Sequence, residues 1–272
     1  MTLAITSEQV GALAELRRER PELRMVLVGA AALQFHIELR RVTRDVDLAV
    51  VADTTDLASL LTGLGWRQLE RDPSHRWRHR APGSESAASG EVVADFLPAT
   101  EAILRSGSFR ARPDDESMSM VGLDLALRHS IAAPLGESGQ TIEVASLPVL
   151  VLLKMVAWLD SPARRTHDLG DIAAALERSL AADDLRRWDE GGPLAGVGLD
   201  FEDQGAYLVG HELRGIAGPV HRERVESFLS RVGDPDGVPF AQAVRAWDVR
   251  RDDADTRLEA LFRSFRLGFG LR

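Results

Sequence analysis

Two closely spaced aspartates are the residues whose type and spacing most directly suggest chemistry. Asp45 and Asp47 stand two positions apart in a run that is otherwise apolar up to Val51. Residues i and i+2 of a strand point to the same face, about 7 Å apart, so both carboxylates are predicted to face one spot. Such carboxylates need a cation, and Mg²⁺ takes carboxylate oxygens readily. An ordinary ion pair from Asp45 to Arg41 or Arg44 is the alternative.

A third aspartate, Asp95, interrupts the apolar run Glu91 to Leu97. If its strand neighbours the strand of Asp45 and Asp47, the three carboxylates form one cluster. The alternative is that Asp95 helps to cap a short helix predicted after Pro98. We favour the cluster, because an aspartate without a partner in an apolar run is energetically costly.

Lys154 is the only lysine of the chain, and it lies in the middle of an apolar helix predicted over Leu147 to Asp160. A lysine there needs an anion, or it must extend to the surface. The next predicted helix, with Thr166 as its cap, carries Asp168 and Asp171 three positions apart on one face. Acids in a first helical turn also complement the helix dipole.

The elements next to the aspartate pair suggest a phosphate site. A strand over Met25 to Val28 ends at Gly29, and an amphipathic helix is predicted over Ala30 to Leu39. Backbone N–H groups at the start of that helix would lie beside the aspartates, which suits a phosphate. A basic loop containing Arg44 leads into the strand Asp45 to Val51.

The segment His75 to Arg80 is predicted to be a strand with a basic face. Alternation places three arginines on one side of it, Arg76, Arg78 and Arg80, and His75, Trp77 and His79 on the other. A basic stripe beside an aromatic residue could contact a nucleic acid. A charged edge strand is the alternative, and the strand by itself favours it.

The remaining pattern predicts an α+β chain that changes from strands to helices at Leu147. The further predicted strands are 66–70, 118–125 and 140–144. The further predicted helices are 7–20 with Ser7 as cap, 56–64 with Asp53 or Thr54 as cap, 201–213, 221–232, 239–249 and 253–265. We therefore expect one domain over 1–145 and a helical domain over 146–272.

Composition limits the classes of function. The formal net charge of −9 argues against a surface that binds nucleic acid all over. The absence of cysteine excludes disulfides and thiolate metal sites. No apolar stretch approaches the length of a membrane span, and the N-terminus lacks a signal-peptide pattern. A cytoplasmic protein without a membrane partner is expected.

The order of strand, small-residue turn, helix and D-x-D strand resembles the signature of the DNA polymerase beta-like nucleotidyltransferase superfamily. In that signature Gly is followed by Gly or Ser, and here Ala30 stands at the second position. The form R-x-T-x-D-x-D-L over Arg41 to Leu48 is typical of one branch, the AbiEii/AbiGii family of nucleotidyltransferase toxins, which includes the MenT toxins.

A second block is similar to the same family. It comprises Lys154 on the apolar helix, Ala157 three residues on, Arg165 after the helix, and H-D-L-x-D-I around Asp168. His167 stands where the family commonly has lysine. The resemblance implies a polymerase beta-like mixed sheet over 1–145, with a helical domain that completes the active site.

The resemblance also implies the reaction, the transfer of an NMP from an NTP to an acceptor hydroxyl with release of pyrophosphate. Two Mg²⁺ ions would bind the aspartates, and cationic side chains would neutralise the triphosphate. The implied metal ligands are Asp45, Asp47 and Asp95. The implied catalytic residues are these three with Lys154 and Asp168, and the implied nucleotide-binding residues are Gly29, Ala30, Arg44, Lys154 and Arg165.

The acceptor in related toxins is the tRNA 3′ end, and the arginine stripe of the strand His75 to Arg80 is the candidate contact. A cognate antitoxin is an expected partner. One alternative is a small-molecule nucleotidyltransferase of the antibiotic-modifying kind, which the acidic charge favours. Another is a degenerate nucleotide-binding or protein-interaction domain, which Ala30 and His167 suggest.

Overall fold

The computed structural model describes residues 5–38, 43, 45–69, 75–80, 91–110, 117–247 and 252–271. The chain divides into two compact units. Unit 1 comprises Met1–Phe35 and Arg41–Ser146, and unit 2 comprises His36–Arg40 and Leu147–Arg272. The predicted α+β class is confirmed. The predicted division at 145/146 stays a prediction about folding domains.

Unit 1 contains a six-stranded mixed sheet. Its strands are β1 (Met25–Val28), β2 (Asp45–Val50), β3 (Arg76–Arg80), β4 (Glu91–Pro98), β7 (Ser130–Pro134) and β8 (Thr141–Ala145), in the order β3-β4-β2-β1-β8-β7. A separate pair consists of β5 (Ser108–Phe109) and β6 (Met118–Ser119). Strand β2 pairs in parallel with β4 and antiparallel with β1.

The burial of β1 and β2 follows their sequences. All four residues of β1 are buried, whereas in β2 the apolar residues are buried and Asp45 and Asp47 are half-buried. Because side chains alternate along a strand, the two aspartates share the face opposite Val46 and Leu48. The sheet therefore presents both carboxylates on one face, as the spacing predicts.

The described part of unit 1 also contains five helices. They are α1 (Ser7–Glu19), α2 (Gly29–Leu33), α3 (Thr54–Gly63), α4 (Glu101–Ser106) and α5 (Leu123–Arg128). The cap of α1 is Thr6 and not Ser7, because Thr6 and Gln9 form a reciprocal capping box. The cap of α3 is Asp53, whose side chain accepts from the backbone N–H of Asp56.

Two predictions for unit 1 are wrong in detail. Helix α2 covers Gly29–Leu33 and does not continue to Leu39. The predicted strand 118–125 is only β6, and Gly122, with φ of 96°, then begins α5. A short apolar run does not by itself separate a strand from a buried helix. Strand β7 was not predicted.

The segment 66–70 also differs from its prediction. Among its described residues only Arg67 forms a β-bridge, to Arg78. The turn predicted at 72–74 lies outside the described residues.

Unit 2 is helical. Its helices are α6 (Leu147–Asp160), α7 (Thr166–Arg178), α8 (Gln204–Ile216), α9 (Pro219–Val232), α10 (Val238–Ala246) and α11 (Ala254–Phe269), with a 3₁₀ turn at Leu185–Arg187. Helix α6 has the predicted bounds. Helix α7 begins at Thr166, which is therefore its first residue and not its cap.

Two glycines allow α8 and α11 to pack closely. A Cβ on Gly268 would lie 2.0 Å from the carbonyl oxygen of Tyr207, and one on Gly210 would lie 2.3 Å from that of Phe265. Both positions therefore require glycine for close backbone approach. Of the helices in the described ranges, none is both long and apolar enough to cross a membrane.

Candidate active site

The aspartates of unit 1 lie on neighbouring strands. Because β2 and β4 are parallel and adjacent, Asp47 is directly opposite Asp95 in the register, and Asp45 is opposite Val93. Asp95 is 7% exposed. The alternative role of Asp95 as a helix cap is wrong, since the side chain of Thr100 caps α4. The three carboxylates therefore belong to one cluster, called here the acid cluster (Asp45, Asp47 and Asp95).

The guanidinium of Arg76 lies within the acid cluster. Its Nη2 donates to Asp45 Oδ2 at 2.9 Å and to Asp95 Oδ2 at 2.7 Å, and its Nε donates to Asp95 Oδ1 at 2.8 Å. This two-pronged contact with Asp95 is the strong geometry of arginine–carboxylate pairs. The hydrogen bonding to Asp95 raises the pKa of Arg76 despite its partial burial, and the nearby charges of Asp45 and Asp47 add to the effect.

The backbone of Gly29 lies directly beside the side chain of Asp47. Gly29 has φ of 70°, and a Cβ at this position would lie 1.9 Å from Asp47 Oδ2. The left-handed conformation and the close approach both require glycine. Ala30 follows as a buried residue of the five-residue helix α2. The phosphate contact of Gly29 and Ala30 stays a prediction.

The acid cluster suits a divalent ion in the type of its donors. Carboxylate oxygens are the ligands that Mg²⁺ prefers, and adjacent strands supply three carboxylates here. As they are arranged, no three acidic or histidine side chains within the described ranges form a ready ligand set for an ion. The guanidinium of Arg76 instead bonds the oxygens of Asp45 and Asp95.

Unit 2 contains a second charged group, called here the lysine cluster (Lys154, Asp168 and Asp171). Lys154 Nζ lies 2.8 Å from Asp168 Oδ1 and 2.6 Å from Asp171 Oδ2. The three side chains are no more than 7% exposed. Burial alone would lower the pKa of Lys154, but the two carboxylates outweigh it and the pKa is raised. The ammonium of Lys154 therefore bonds carboxylates of the same chain, and the side chain does not extend to the surface.

Two further side chains, those of Arg165 and His167, lie near Asp168. Arg165 Nη1 is 3.8 Å from Asp168 Oδ2, and His167 Nε2 is 3.6 Å from Asp168 Oδ1. Both side chains are 49% exposed, whereas that of Asp168 is 3% exposed. In the described structure Asp168 Oδ2 is buried and accepts no hydrogen bond. Lys154, Arg165 and His167 of the second sequence block thus lie around one carboxylate, that of Asp168.

The arginine stripe of β3 alternates as predicted, but two of its guanidiniums bind carboxylates. Arg76 contacts the acid cluster, and Arg78 Nη1 lies 2.9 Å from Glu91 Oε2. Arg80 is exposed, and Trp77 is 6% exposed. The buried indole of Trp77 is not available to stack on a base. The predicted nucleotide-binding residue Arg44 lies outside the described residues.

The contact of Arg76 with the acid cluster was not predicted from the sequence. Alternation along β3 placed Arg76 on one face of that strand, but the face could not be assigned to the acids. The antiparallel register, in which Arg76 is opposite Asp95, supplies that assignment.

The D-x-D strand beside a positive-φ glycine, within a mixed sheet, is the arrangement that the sequence resemblance to nucleotidyltransferases predicts. The chain matches the family described as "Nucleotidyl transferase AbiEii toxin, Type IV TA system" over residues 11–246, and it belongs to that family. The resemblance noted in the sequence is thereby confirmed.

The solved structures that are similar to the chain include a Helicobacter pylori protein, a nucleotidyltransferase-like protein and an adenylyltransferase. JHP933 from Helicobacter pylori is 13% identical, with 96% of this chain and 90% of that chain covered and a TM-score of 0.41. An antigenic nucleotidyltransferase-like protein from Paracoccidioides brasiliensis is 15% identical, with 63% and 77% covered and a TM-score of 0.41. The lincosamide adenylyltransferase LnuA is 15% identical, with 63% and 98% covered and a TM-score of 0.36. No curated protein matches the chain.

Proposed function

We propose that this protein transfers an NMP from an NTP to an acceptor hydroxyl in a Mg²⁺-dependent reaction, as the toxin of a toxin–antitoxin or phage-defence system. The observation that carries the proposal is the acid cluster itself. Asp47 and Asp95 lie opposite each other on adjacent parallel strands, and Gly29 brings the backbone against Asp47. Membership of a nucleotidyltransferase toxin family supports the same chemistry.

The acid cluster would hold the metal, which supplies charge stabilisation to the entering and leaving oxygens. The acceptor oxygen would bond to the α-phosphorus while the bond from that phosphorus to the bridging oxygen breaks, and pyrophosphate leaves. Asp95 would help to remove the proton of the acceptor hydroxyl. The backbone of Gly29 would contact phosphate oxygens, and the missing Cβ leaves room for the Asp47 side chain.

The contacts of Lys154 change its proposed role. Because its ammonium already bonds two buried carboxylates, Lys154 would act by orienting Asp168, and not by direct contact with the triphosphate. Arg165, near Asp168 and half exposed, remains the proposed phosphate contact from this block. Arg44 keeps the same proposed role on the strength of the sequence alone.

The proposed acceptor is the tRNA 3′ end. The test is incubation of the purified protein with each labelled NTP, Mg²⁺ and total tRNA, followed by detection of label on the RNA. Label should appear with the wild type and disappear with Asp47→Ala. The matched control is Glu101→Gln, which removes an exposed acid of α4 that is paired with Arg105 and should keep the activity. Label that survives Asp47→Ala would refute the proposed site.

A small-molecule acceptor is the second candidate, and two observations favour it. The net charge is −9, and two of the three stripe arginines already bind carboxylates. Product formation without RNA, with little dependence on salt, would select this acceptor over tRNA.

A further inference from the structure

Arg76 bonds the carboxylate oxygens that a metal ion would need. It contacts both oxygens of Asp95 and one oxygen of Asp45, so it joins acids of two different strands. Three carboxylates at one spot repel each other unless a cation lies between them. Arg76 supplies that cation from within the chain.

The same strand provides a contrast. Arg78 lies two residues further along β3, on the same face, and its guanidinium pairs with Glu91. Its contact has the form of an ordinary edge-strand ion pair. Arg76 differs because its guanidinium bonds two members of the acid cluster, Asp45 and Asp95.

The position of Arg76 would allow it to move away from the acids. Strand β3 is at the edge of the sheet. The side chain of Arg76 is 31% exposed, whereas that of Asp95 is 9% exposed. A guanidinium binds phosphate oxygens with the same two-pronged geometry that it uses on carboxylates. It therefore has an alternative partner in the triphosphate of an NTP.

We propose that Arg76 holds the acid cluster together in the absence of nucleotide, and that it exchanges the carboxylates for phosphate oxygens when metal and NTP bind. This inference rests on the proposed function. It assigns Arg76 to the nucleotide site, whereas the sequence grouped it with the acceptor contacts. It has two measurable consequences, one for the metal and one for the nucleotide.

The first consequence is competition between Arg76 and the metal. Binding of Mn²⁺, as a probe for Mg²⁺, is measured by calorimetry without nucleotide for the wild type, Arg76→Gln and Arg78→Gln. Arg76→Gln should bind Mn²⁺ at least about tenfold more tightly, because a like charge within a few ångströms is removed. Arg78→Gln should bind Mn²⁺ as the wild type does. Equal Mn²⁺ affinity in all three proteins would overturn the inference.

The second consequence is weaker nucleotide binding. At saturating Mn²⁺, Arg76→Gln should bind a non-hydrolysable NTP analogue at least about fivefold more weakly, since one charge-assisted phosphate contact is lost. Arg76→Lys keeps the positive charge but lacks the two-pronged guanidinium. Its affinity for the analogue should therefore lie between those of the wild type and Arg76→Gln. If Arg76→Gln binds the analogue as tightly as the wild type does, Arg76 is not a phosphate contact and the exchange is refuted.

Folding of the variant is checked by thermal melting with and without Mn²⁺. Arg76→Gln should melt lower than the wild type without the ion and recover with it, because Mn²⁺ replaces the guanidinium. A variant that stays unfolded in Mn²⁺ would show that the ion does not replace Arg76, which overturns the inference.

The outcome also separates this inference from the proposed function. If no acceptor is labelled by the wild type but both binding changes are seen, nucleotidyl transfer is refuted and the exchange stands. If transfer occurs and the binding of Mn²⁺ is unaffected by Arg76→Gln, the exchange alone is refuted.

Discussion

The two charged clusters of this protein combine similar groups in different surroundings. In the acid cluster an arginine that is 31% exposed bonds carboxylates from two strands. In the lysine cluster the Lys154 side chain is 7% exposed, and its ammonium bonds two carboxylates of one helix, α7. A partly exposed arginine can find water or phosphate if it moves, whereas the ammonium of Lys154 would have to leave two buried anions without a counter-ion. The comparison indicates an exchangeable cation in unit 1 and a permanent one in unit 2.

Substitution of Lys154 tests this contrast between the two clusters most directly. Lys154→Met leaves Asp168 and Asp171 buried without their counter-ion, and breaking a buried pair in this way costs about 3–5 kcal/mol. We therefore expect a loss of that size in the free energy of unfolding, measured with urea.

The control for Lys154 removes all the charges of the lysine cluster together. Lys154→Met combined with Asp168→Asn and Asp171→Asn should recover much of the stability, because no buried charge is left without a partner. A loss below about 1 kcal/mol in Lys154→Met alone, the range of exposed ion pairs, would show that the cluster is not a permanent structural pair.

Gly29 tests how the backbone maintains the acid cluster. Gly29→Ala places a Cβ 1.9 Å from Asp47 Oδ2 in a position with φ of 70°. The left-handed conformation costs about 1–2 kcal/mol and the overlap adds about 1–3 kcal/mol. We expect a total loss of about 2–5 kcal/mol in the free energy of unfolding, together with loss of metal binding.

Gly65 provides the matched control for Gly29. It has φ of 78°, and a Cβ there would meet no atom within 4 Å. Gly65→Ala should therefore show the conformational cost without the overlap. Equal losses for the two substitutions would mean that Asp47 is free to move away from the backbone.

Sequence patterns predicted the parts of these clusters that depend on local spacing. The two-residue spacing of Asp45 and Asp47 gave their common face, and the three-residue spacing of Asp168 and Asp171 gave theirs. The bounds of α6 followed from one long apolar run. Each of these depends on a single element with a fixed period.

Contacts between elements could not be predicted in the same way. The place of Arg76 depends on the register of β3 against β4, which is set by segments far apart in the chain. The predicted strand 118–125 wrongly included the first three residues of α5, because so short an apolar run carries too little periodicity to separate a strand from a helix.

Asp95 measures the strength of the exchangeable pair. Asp95→Asn keeps the shape but removes the charge that bonds Arg76 at 2.7 and 2.8 Å. Hydrogen bonds to charged groups contribute about 1.5–3 kcal/mol, and Asp45 remains as a partner, so we expect a loss near the lower end of that range. Urea unfolding with Asp160→Asn as control checks it. A loss as large as that in Lys154→Met would remove the contrast between the clusters.

The smallest effect expected in the ordinary pH range concerns the raised pKa of Lys154. Its folded-state pKa lies above the ordinary value of 10.5, so the stabilisation is fully present below pH 10.5 and is lost as pH rises through the folded-state pKa. Between pH 7 and about 9.5 Lys154 should therefore contribute no change to the free energy of unfolding. Above pH 10.5 the wild type should lose stability more steeply than the variant that lacks all three charges of the lysine cluster. Parallel pH profiles for these two proteins would show that Lys154 is not held as a cation by Asp168 and Asp171.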